Sequence, residues 1–259
     1  MRLFAVALLA LAACSGLYVP GGGGIAPSPI PRTSRQLVLV IADRWDSSSG
    51  KLQRFERKRD GGAWEPVAIP VEASLGRGGL GWGIGVHWPG ERGPEKQEGD
   101  GRSPAGIFRL TSAFGYEPMA THIPYTVATP TLECVDDGAS PRYNTLIDSA
   151  AGDRSWTSSE RMRREDELYR VGVFVAHNAE RPTPGKGSCI FLHVWRGPGQ
   201  PTVGCTATAR DEMEALVGWL DAGKEPVLVQ LPRKEYDGLV GMWRLPEVPN
   251  ENDPCKRKP

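Results

Sequence analysis

Short apolar segments separated by turn residues recur along the chain and predict a mostly β fold. The chain contains 32 Gly and 23 Pro residues, a composition that suits short strands joined by many turns. The segment 189–195 is apolar on both faces of an extended chain, which is typical of an internal strand. Strands are predicted over residues 36–41, 106–111, 171–177, 189–195 and 227–231.

One later segment has the apolar spacing of a helix instead. Four apolar side chains at intervals of three and four residues form one stripe: Met213, Leu216, Val217 and Leu220. Thr208 and Asp211 have the spacing of an N-terminal capping pair, and Gly223 and Pro226 end the segment. A second, weaker helix is predicted over residues 159–169. The expected fold class is therefore α+β, mostly β with a few helices.

The N-terminal residues predict export and a lipid anchor. Arg2 precedes an unbroken apolar segment, residues 3–13, which is too short to cross a bilayer and is typical of a secretory signal. It ends in Leu11-Ala12-Ala13-Cys14-Ser15, which resembles a bacterial lipobox. Lipidation of Cys14 would anchor the chain at the periplasmic face, and Ser15 favours the outer membrane. The alternative is an ordinary signal peptide that ends near a cysteine.

Composition divides the remainder of the chain into three parts. Residues 14–35 are rich in Gly and Pro and predict a flexible tether after the signal peptide of residues 1–13. Residues 36–232 form the predicted folded domain, and residues 233–259 are a polar, Pro-rich tail that we expect to be loosely attached. Lys plus Arg and Asp plus Glu are equal at 31 each, so no nucleic-acid partner is expected.

A thiol and an imidazole are the candidate reaction centre. His193 lies at the end of the internal strand, a loop over residues 196–201 follows, and Cys205 comes just before the predicted helix. An imidazole can take the proton from a thiol and return it to a leaving amine. Gly204 lets the backbone approach a substrate carbonyl, and the amides of Gly204, Cys205 and Thr206 are candidate oxyanion donors. On these residues alone, a buried cysteine beside a core histidine is the competing interpretation.

Two motifs together resemble the active-site sequences of the L,D-transpeptidase (YkuD-type) catalytic domain family. The first is Gly187-Ser188-Cys189-Ile190-Phe191-Leu192-His193-Val194-Trp195 followed by Thr202-x-Gly204-Cys205-Thr206, and the second is Gly99-Asp100-Gly101-Arg102-Ser103-Pro104-Ala105-Gly106-Ile107-Phe108. Cys134-Val135-Asp136-Asp137 and Tyr143-Asn144 also look like one branch of the family. The resemblance covers roughly residues 36–232 and is specific because the motifs occur together.

The resemblance implies a fold, a reaction and two catalytic residues. The family fold is a β-rich sandwich with the nucleophile on a loop before a helix, so Cys205 would be the nucleophile and His193 the proton donor and acceptor. The implied reaction is acyl transfer on peptidoglycan stem peptides through a thioester, with no metal or organic cofactor. Val203 stands where many members carry a second His, which leaves His193 as the sole general base.

Four further residues are candidates for substrate binding. His177 ends a predicted strand and could line the donor pocket, although a histidine at a strand end is more often solvated. Arg196 and Thr202 flank the site and could contact substrate carboxylates or amides, and Trp195 faces the same way as His193. Surface or wall positions are the alternatives for these three.

The other cysteines suggest a disulfide bond and not a metal site. With Cys14 and Cys205 assigned, Cys134, Cys189 and the tail residue Cys255 remain. Export to an oxidising compartment permits a Cys134–Cys189 disulfide, although pairing cannot be deduced from sequence. Zinc is not expected at Cys189, His193 and Cys205, because their spacing matches none of the usual short ligand patterns.

Two rival functions stay open at this point. The first is an L,D-carboxypeptidase or peptidoglycan peptidase that uses the same thioester, because only the access of an amine or of water distinguishes transfer from hydrolysis. The second is a non-catalytic wall-binding lipoprotein, against which the intact pair of His193 and Cys205 argues.

Overall fold

The computed structural model describes residues 28–88, 92–152 and 154–250, and within them the protein is mostly β, as predicted. Its strands are β1 (Gln36–Ala42), β2 (Ser49–Glu56), β3 (Glu65–Pro66), β4 (Val71–Ser74), β5 (Leu80–Trp82), β6 (Ser103–Gly115), β7 (Tyr125–Val127), β8 (Leu132–Val135), β9 (Leu146–Asp148), β10 (Ser159–Arg161), β11 (Val171–Val175), β12 (Phe191–Val194), β13 (Thr206–Thr208) and β14 (Val227–Pro232). Its helices are α1 (Arg210–Trp219) and α2 (Arg233–Trp243).

The main sheet closes on itself. Its strands follow the order β1-β14-β6-β11-β12-β13-β4-β2-β3, and β1 also pairs with β2 along its whole length. The five strands predicted from the sequence all lie in this sheet, and β12 is internal to it because β11 and β13 flank it. The sheet therefore holds β12, which carries His193, between two neighbours.

A smaller sheet of three strands, in the order β10-β8-β9, lies beside the main one. Glu160 in β10 lies opposite Cys134 in β8. Residues 159–169 were expected to be helical, and that prediction is wrong. The middle of this segment contains only two apolar residues, Met162 and Leu168, and their spacing does not form a helical stripe. The start of the segment therefore pairs with β8 as strand β10 and does not form a helix.

The predicted helix is confirmed as α1, which packs its apolar stripe into the largest hydrophobic cluster. Met213, Leu216 and Val217 are buried there together with Leu192 of β12. The capping pair is wrong, however. The helix starts after Ala209 without a side-chain cap, because the Thr208 hydroxyl donates to the Glu72 carbonyl across the sheet.

The chain segments on either side of the domain are more ordered than the sequence suggests. In place of a loosely attached tail, residues 233–243 form α2, which buries Tyr236 and Trp243 against the β1 and β14 face. At the other end, Ile30 is buried in the same cluster and the Ser28 hydroxyl donates to the Trp243 carbonyl. The tether prediction is thus wrong for residues 28–35. The apolar side chains in these segments find partners only in the folded domain.

Cys14, with the predicted signal and lipobox, and Cys255 lie outside the described residues. Across the described ranges, no helix is both long enough and apolar enough to span a bilayer.

Candidate active site

The pairing of β12 with β13 brings the predicted nucleophile and base to one place. These strands are parallel, and His193 lies opposite Ala207. Cys205 packs in one cluster with Phe191 of β12. Phe191 and His193 are two residues apart on β12 and point to the same face, because strand side chains alternate with period two. The side chains of Cys205 and His193 line one cleft of about 180 Å³. Cys205 is on a turn before β13, so a three-residue strand separates it from α1.

The sulfur of Cys205 is buried among backbone groups of the β12 segment. The Phe191 amide donates to Sγ at 3.4 Å, and Sγ can donate to the Cys189 carbonyl at 3.6 Å. Burial raises the pKa of Cys205 to about 12, and the nearby Glu160 carboxylate acts in the same direction. The thiol is therefore protonated in the resting protein.

The imidazole of His193 is buried and held in one orientation. Its Nδ1 lies 2.7 Å from the Val194 carbonyl oxygen, and its ring stands edge-on to Tyr169 with 5.2 Å between centroids. A carbonyl partner can only accept, so Nδ1 carries the hydrogen and Nε2 keeps its lone pair. Burial lowers the pKa of His193 to about 4. The resting centre is a neutral thiol and a neutral imidazole that line one cleft, and the imidazole can act as a base.

Two hydroxyl groups fix the turn that carries Cys205. Ser103 donates to the Cys205 carbonyl at 2.7 Å, and Thr202 donates to the same oxygen at 2.5 Å. Ser103 belongs to the motif at 99–108, so the structure gives that motif a physical role at the nucleophile. Thr202 thus lies in the cleft as predicted and also positions the backbone.

The predicted oxyanion donors are not equivalent. The Gly204 amide already donates to the Thr202 hydroxyl at 3.1 Å, which makes it a poor donor to substrate. Gly204 has a φ of +150°, and a Cβ there would lie 3.2 Å from the Arg102 carbonyl oxygen. Gly204 therefore allows a close approach to the Arg102 backbone, whereas its approach to a substrate carbonyl stays a prediction. The Cys205 amide is the better oxyanion candidate.

Charged and aromatic residues form the outer wall of the cleft. Arg196 and Trp195 line it as predicted, and Val203 is 66% exposed beside them. Arg164 is a further wall residue, bonded to both Asp166 carboxylate oxygens at 2.7 and 2.8 Å. Arg196 lies 3.6 Å from the same carboxylate. Two guanidinium groups thus share one carboxylate, which leaves a net positive charge at the mouth of the cleft.

His177 is neither in this cleft nor solvated. It is 1% exposed, its Nδ1 accepts from the Ile84 amide, and its Nε2 lies 2.9 Å from the Lys186 carbonyl oxygen. Burial lowers the pKa of His177 to about 4. Its role is to satisfy buried backbone groups, so the prediction of a substrate-binding role is wrong. Strand pairing ends at Val175, and the backbone then turns the side chain into the domain.

A disulfide bond joins Cys134 to Cys189 and thereby links the small sheet to the segment beside the nucleophile. Cys189 has a φ of +53°, and its amide donates to the Asn144 side chain at 2.9 Å. The Asn144 amide group in turn donates to the carbonyls of His177 and Asn178. The Tyr143-Asn144 motif is therefore part of the support for the Cys189 carbonyl that faces Cys205.

No pattern in the sequence points to Tyr169, Glu160 or Arg164 as site residues. Tyr169 lines the cleft, and its hydroxyl donates to the Glu160 carboxylate at 2.6 Å. Because Glu160 and Arg164 fell in a segment expected to be helical, their proximity to Cys205 could not be anticipated. For Ser103, the motif at 99–108 was a usable signal that pointed to the site without giving the contact.

The described residues contain no cluster of three or more His, Cys, Asp or Glu side chains able to hold a metal ion. Cys189 is oxidised in the disulfide bond and offers no thiolate ligand.

Comparisons with known proteins place these observations in a family. A solved structure of Bdellovibrio bacteriovorus Bd1075 is similar at 15% identity and a TM-score of 0.38, over 79% of this chain and 52% of that one. The chain therefore spans about half the length of that protein. No curated protein matches the sequence. The model of the YkuD family, the L,D-transpeptidase catalytic domain, matches residues 46–229, and by this match the chain belongs to that family.

Proposed function

We propose that the protein transfers acyl groups on peptidoglycan stem peptides through a thioester on Cys205. One observation carries the proposal, namely that Cys205 and His193 line one cleft. The fixed Nδ1 hydrogen of His193 supports the proposal because it leaves Nε2 free to accept the thiol proton.

In the first half-reaction, Cys205 Sγ attacks the carbonyl carbon of the third stem residue while His193 takes the thiol proton. The Phe191 amide favours the developing negative sulfur, and the Cys205 amide is the candidate donor to the oxyanion. The carbon–nitrogen bond to the terminal D-amino acid then breaks, and His193 returns the proton to the leaving amine. The product is a thioester on Cys205.

In the second half-reaction, an amine of another stem attacks the thioester and His193 takes its proton. The thiolate leaves and is reprotonated by His193, which restores the neutral pair. The pKa values of about 12 for Cys205 and about 4 for His193 favour proton transfer that accompanies attack over a preformed ion pair.

Arg196 and Arg164 are proposed to bind a substrate carboxylate at the cleft mouth. Arg196 is the more accessible, with 65% of its side chain exposed. A planar guanidinium matches a carboxylate with two parallel hydrogen bonds. Trp195 and the exposed Val203 would contact apolar parts of the stem.

We further propose that the chain is exported and anchored by a lipid on Cys14 at the periplasmic face of the outer membrane. The lipobox-like sequence before Cys14 supports this location. The Cys134–Cys189 disulfide is compatible with it because disulfides persist in oxidising compartments.

The test is incubation of the purified protein with tetrapeptide muropeptides, followed by mass analysis of the products. Cross-linked dimers from the wild type, absent with Cys205→Ala, are the expected result. Monomeric tripeptides would instead identify a hydrolase of the L,D-carboxypeptidase type. No product, together with no covalent carbapenem adduct on Cys205, would contradict an enzymatic role and favour a wall-binding protein. Thermal unfolding of Cys205→Ala controls for loss of fold.

A further inference from the structure

The small sheet reaches the reaction centre through Glu160 as well as through the disulfide. Glu160 lies opposite Cys134 in the pairing of β10 with β8, so both links start from one cross-strand pair. The Glu160 carboxyl group lies 2.6 Å from the Tyr169 hydroxyl, a contact between side chains nine residues apart. Glu160 thus touches the cleft through Tyr169.

Tyr169 is packed so that its hydroxyl has a fixed place. Its side chain is 4% exposed, and its ring stands edge-on to Phe191 at 5.3 Å and to His193 at 5.2 Å. Phe191 is the residue whose amide donates to Cys205 Sγ. Tyr169 and Cys205 belong to one buried cluster and line the same cleft. A hydrogen bond from the Tyr169 hydroxyl to the sulfur favours the thiolate, which lowers the pKa of Cys205 against the effect of burial.

The Tyr169 hydroxyl has one hydrogen, and its two candidate acceptors are the Glu160 carboxylate and the Cys205 sulfur. While Glu160 is ionised, its carboxylate accepts that hydrogen, and its charge also opposes a thiolate at Cys205. When Glu160 carries a proton, its own O–H can donate to the Tyr169 oxygen across the same contact. The phenolic hydrogen is then available to the sulfur.

We propose that protonated Glu160 is a positioning residue that directs the Tyr169 hydroxyl hydrogen to Cys205 Sγ when the thiolate forms. The inference rests on the proposed role of Cys205 as nucleophile. Burial and the carboxylates of Asp136 and Glu98 raise the pKa of Glu160, whereas Tyr169 and Arg164 lower it, and Cys205 faces it from the turn before β13. The neutral acid is thereby favoured over a wider pH range than for a solvated Glu.

Alkylation of Cys205 by iodoacetamide tests this pair without any stem peptide. Tyr169→Phe is expected to react roughly tenfold more slowly than the wild type, because a hydrogen bond to a charged group is lost. Glu160→Gln keeps a permanent N–H donor toward Tyr169. Its rate should match the wild type at the acid end of the pH range, where Glu160 is protonated, and exceed it progressively as the pH rises and Glu160 ionises.

Tyr125→Phe is the control. Its hydroxyl also donates to a protein acceptor, the Glu117 carbonyl at 2.8 Å, but Tyr125 does not line the cleft. This variant should keep the wild-type alkylation rate.

A wild-type rate in Tyr169→Phe, or a Glu160→Gln profile that follows the wild type at every pH, would overturn the proposal. Should Tyr169→Phe fail to fold, the Glu160→Gln profile alone decides. A wild type inactive on muropeptides that still shows these alkylation differences would contradict the proposed function and leave the Tyr169 contact supported.

Discussion

Burial acts in opposite directions on the two members of the reaction centre. It raises the pKa of Cys205 to about 12 and lowers that of His193 to about 4, because each charged form loses hydration. The neutral pair is stable at rest, and the thiol becomes nucleophilic only when the imidazole takes its proton. Such a thiol resists unwanted oxidation.

A substitution at Ser103 tests whether activity depends on a fixed backbone at Cys205. Ser103→Ala removes one of two hydroxyl donors to the Cys205 carbonyl and leaves the Gly76 amide without its partner. We expect kcat/KM on stem peptides to fall roughly tenfold, because the loss of one buried hydrogen bond costs about 1–2 kcal/mol.

Thr121→Val is the control for Ser103→Ala. This substitution also deletes a hydroxyl donor. The Thr121 hydroxyl donates to the Ile123 carbonyl at 2.7 Å, in a loop that does not line the cleft. Equal activity in the Ser103 variant and this control would show that the Thr202 bond alone holds the turn.

Among the structural elements, the disulfide ties β8 to the segment before β12. Replacing Cys134 and Cys189 together by Ser opens a loop with a sequence separation of 55. We expect the free energy of unfolding to fall by about 4 kcal/mol, from the loop entropy regained by the unfolded chain. Stem-peptide activity should fall with it, because the Cys189 carbonyl and Phe191 amide face Cys205.

Denaturant unfolding with and without reductant checks the disulfide prediction. Reductant should lower the stability of the wild type and leave the double variant unchanged. If the stability of the wild type were unchanged in reductant although both thiols were recovered free, the predicted contribution of the disulfide would be contradicted.

Helix α2 offers a second test at this scale. Trp243 is 3% exposed and packs beside His87 with 5.9 Å between ring centroids. Trp243→Ala should lower the free energy of unfolding by about 3–5 kcal/mol, because it leaves a large cavity. Met242→Ala, on the same helix at a side chain 46% exposed, should change it little. Equal denaturant midpoints for the two variants would mean that α2 contributes no packing.

For the whole molecule, the buried histidines predict how stability depends on pH, because burial lowers the pKa values of His87, His177 and His193. His177 and His193 have pKa values of about 4 in the folded protein, below the ordinary value of 6.5. Between these values the unfolded chain binds more protons than the folded one, so stability falls as pH falls. Each of these two histidines contributes on the order of 3 kcal/mol above pH 6.5 that is lost by about pH 4.

Chemical unfolding between pH 7 and pH 4 measures this dependence on pH. His177→Gln should show a shallower loss of stability than the wild type. His122→Gln, at an exposed histidine, is the control and should keep the wild-type slope. A His177 variant with the full wild-type slope would contradict the assignment.

The sequence by itself determined the local elements and the candidate reactive pair. Apolar alternation placed the strands around His177 and His193, and the spacing of Met213, Leu216 and Val217 placed α1, because these patterns depend only on the geometry of one element. The combined motifs around Cys205 indicated the family before any contact was known.

Only the tertiary structure decided which distant residues meet. Tyr169 and Glu160 reach Cys205 because β10 pairs with β8 and a disulfide fixes that sheet to the β12 segment, none of which leaves a periodic signal. For the same physical reason, the sequence alone predicts a substrate-binding role for His177 and a loose tail over residues 233–243, and both predictions are wrong. Whether a side chain is buried, and which residue it contacts, depends on two surfaces that pack together. The sequence of one segment describes only one of those surfaces.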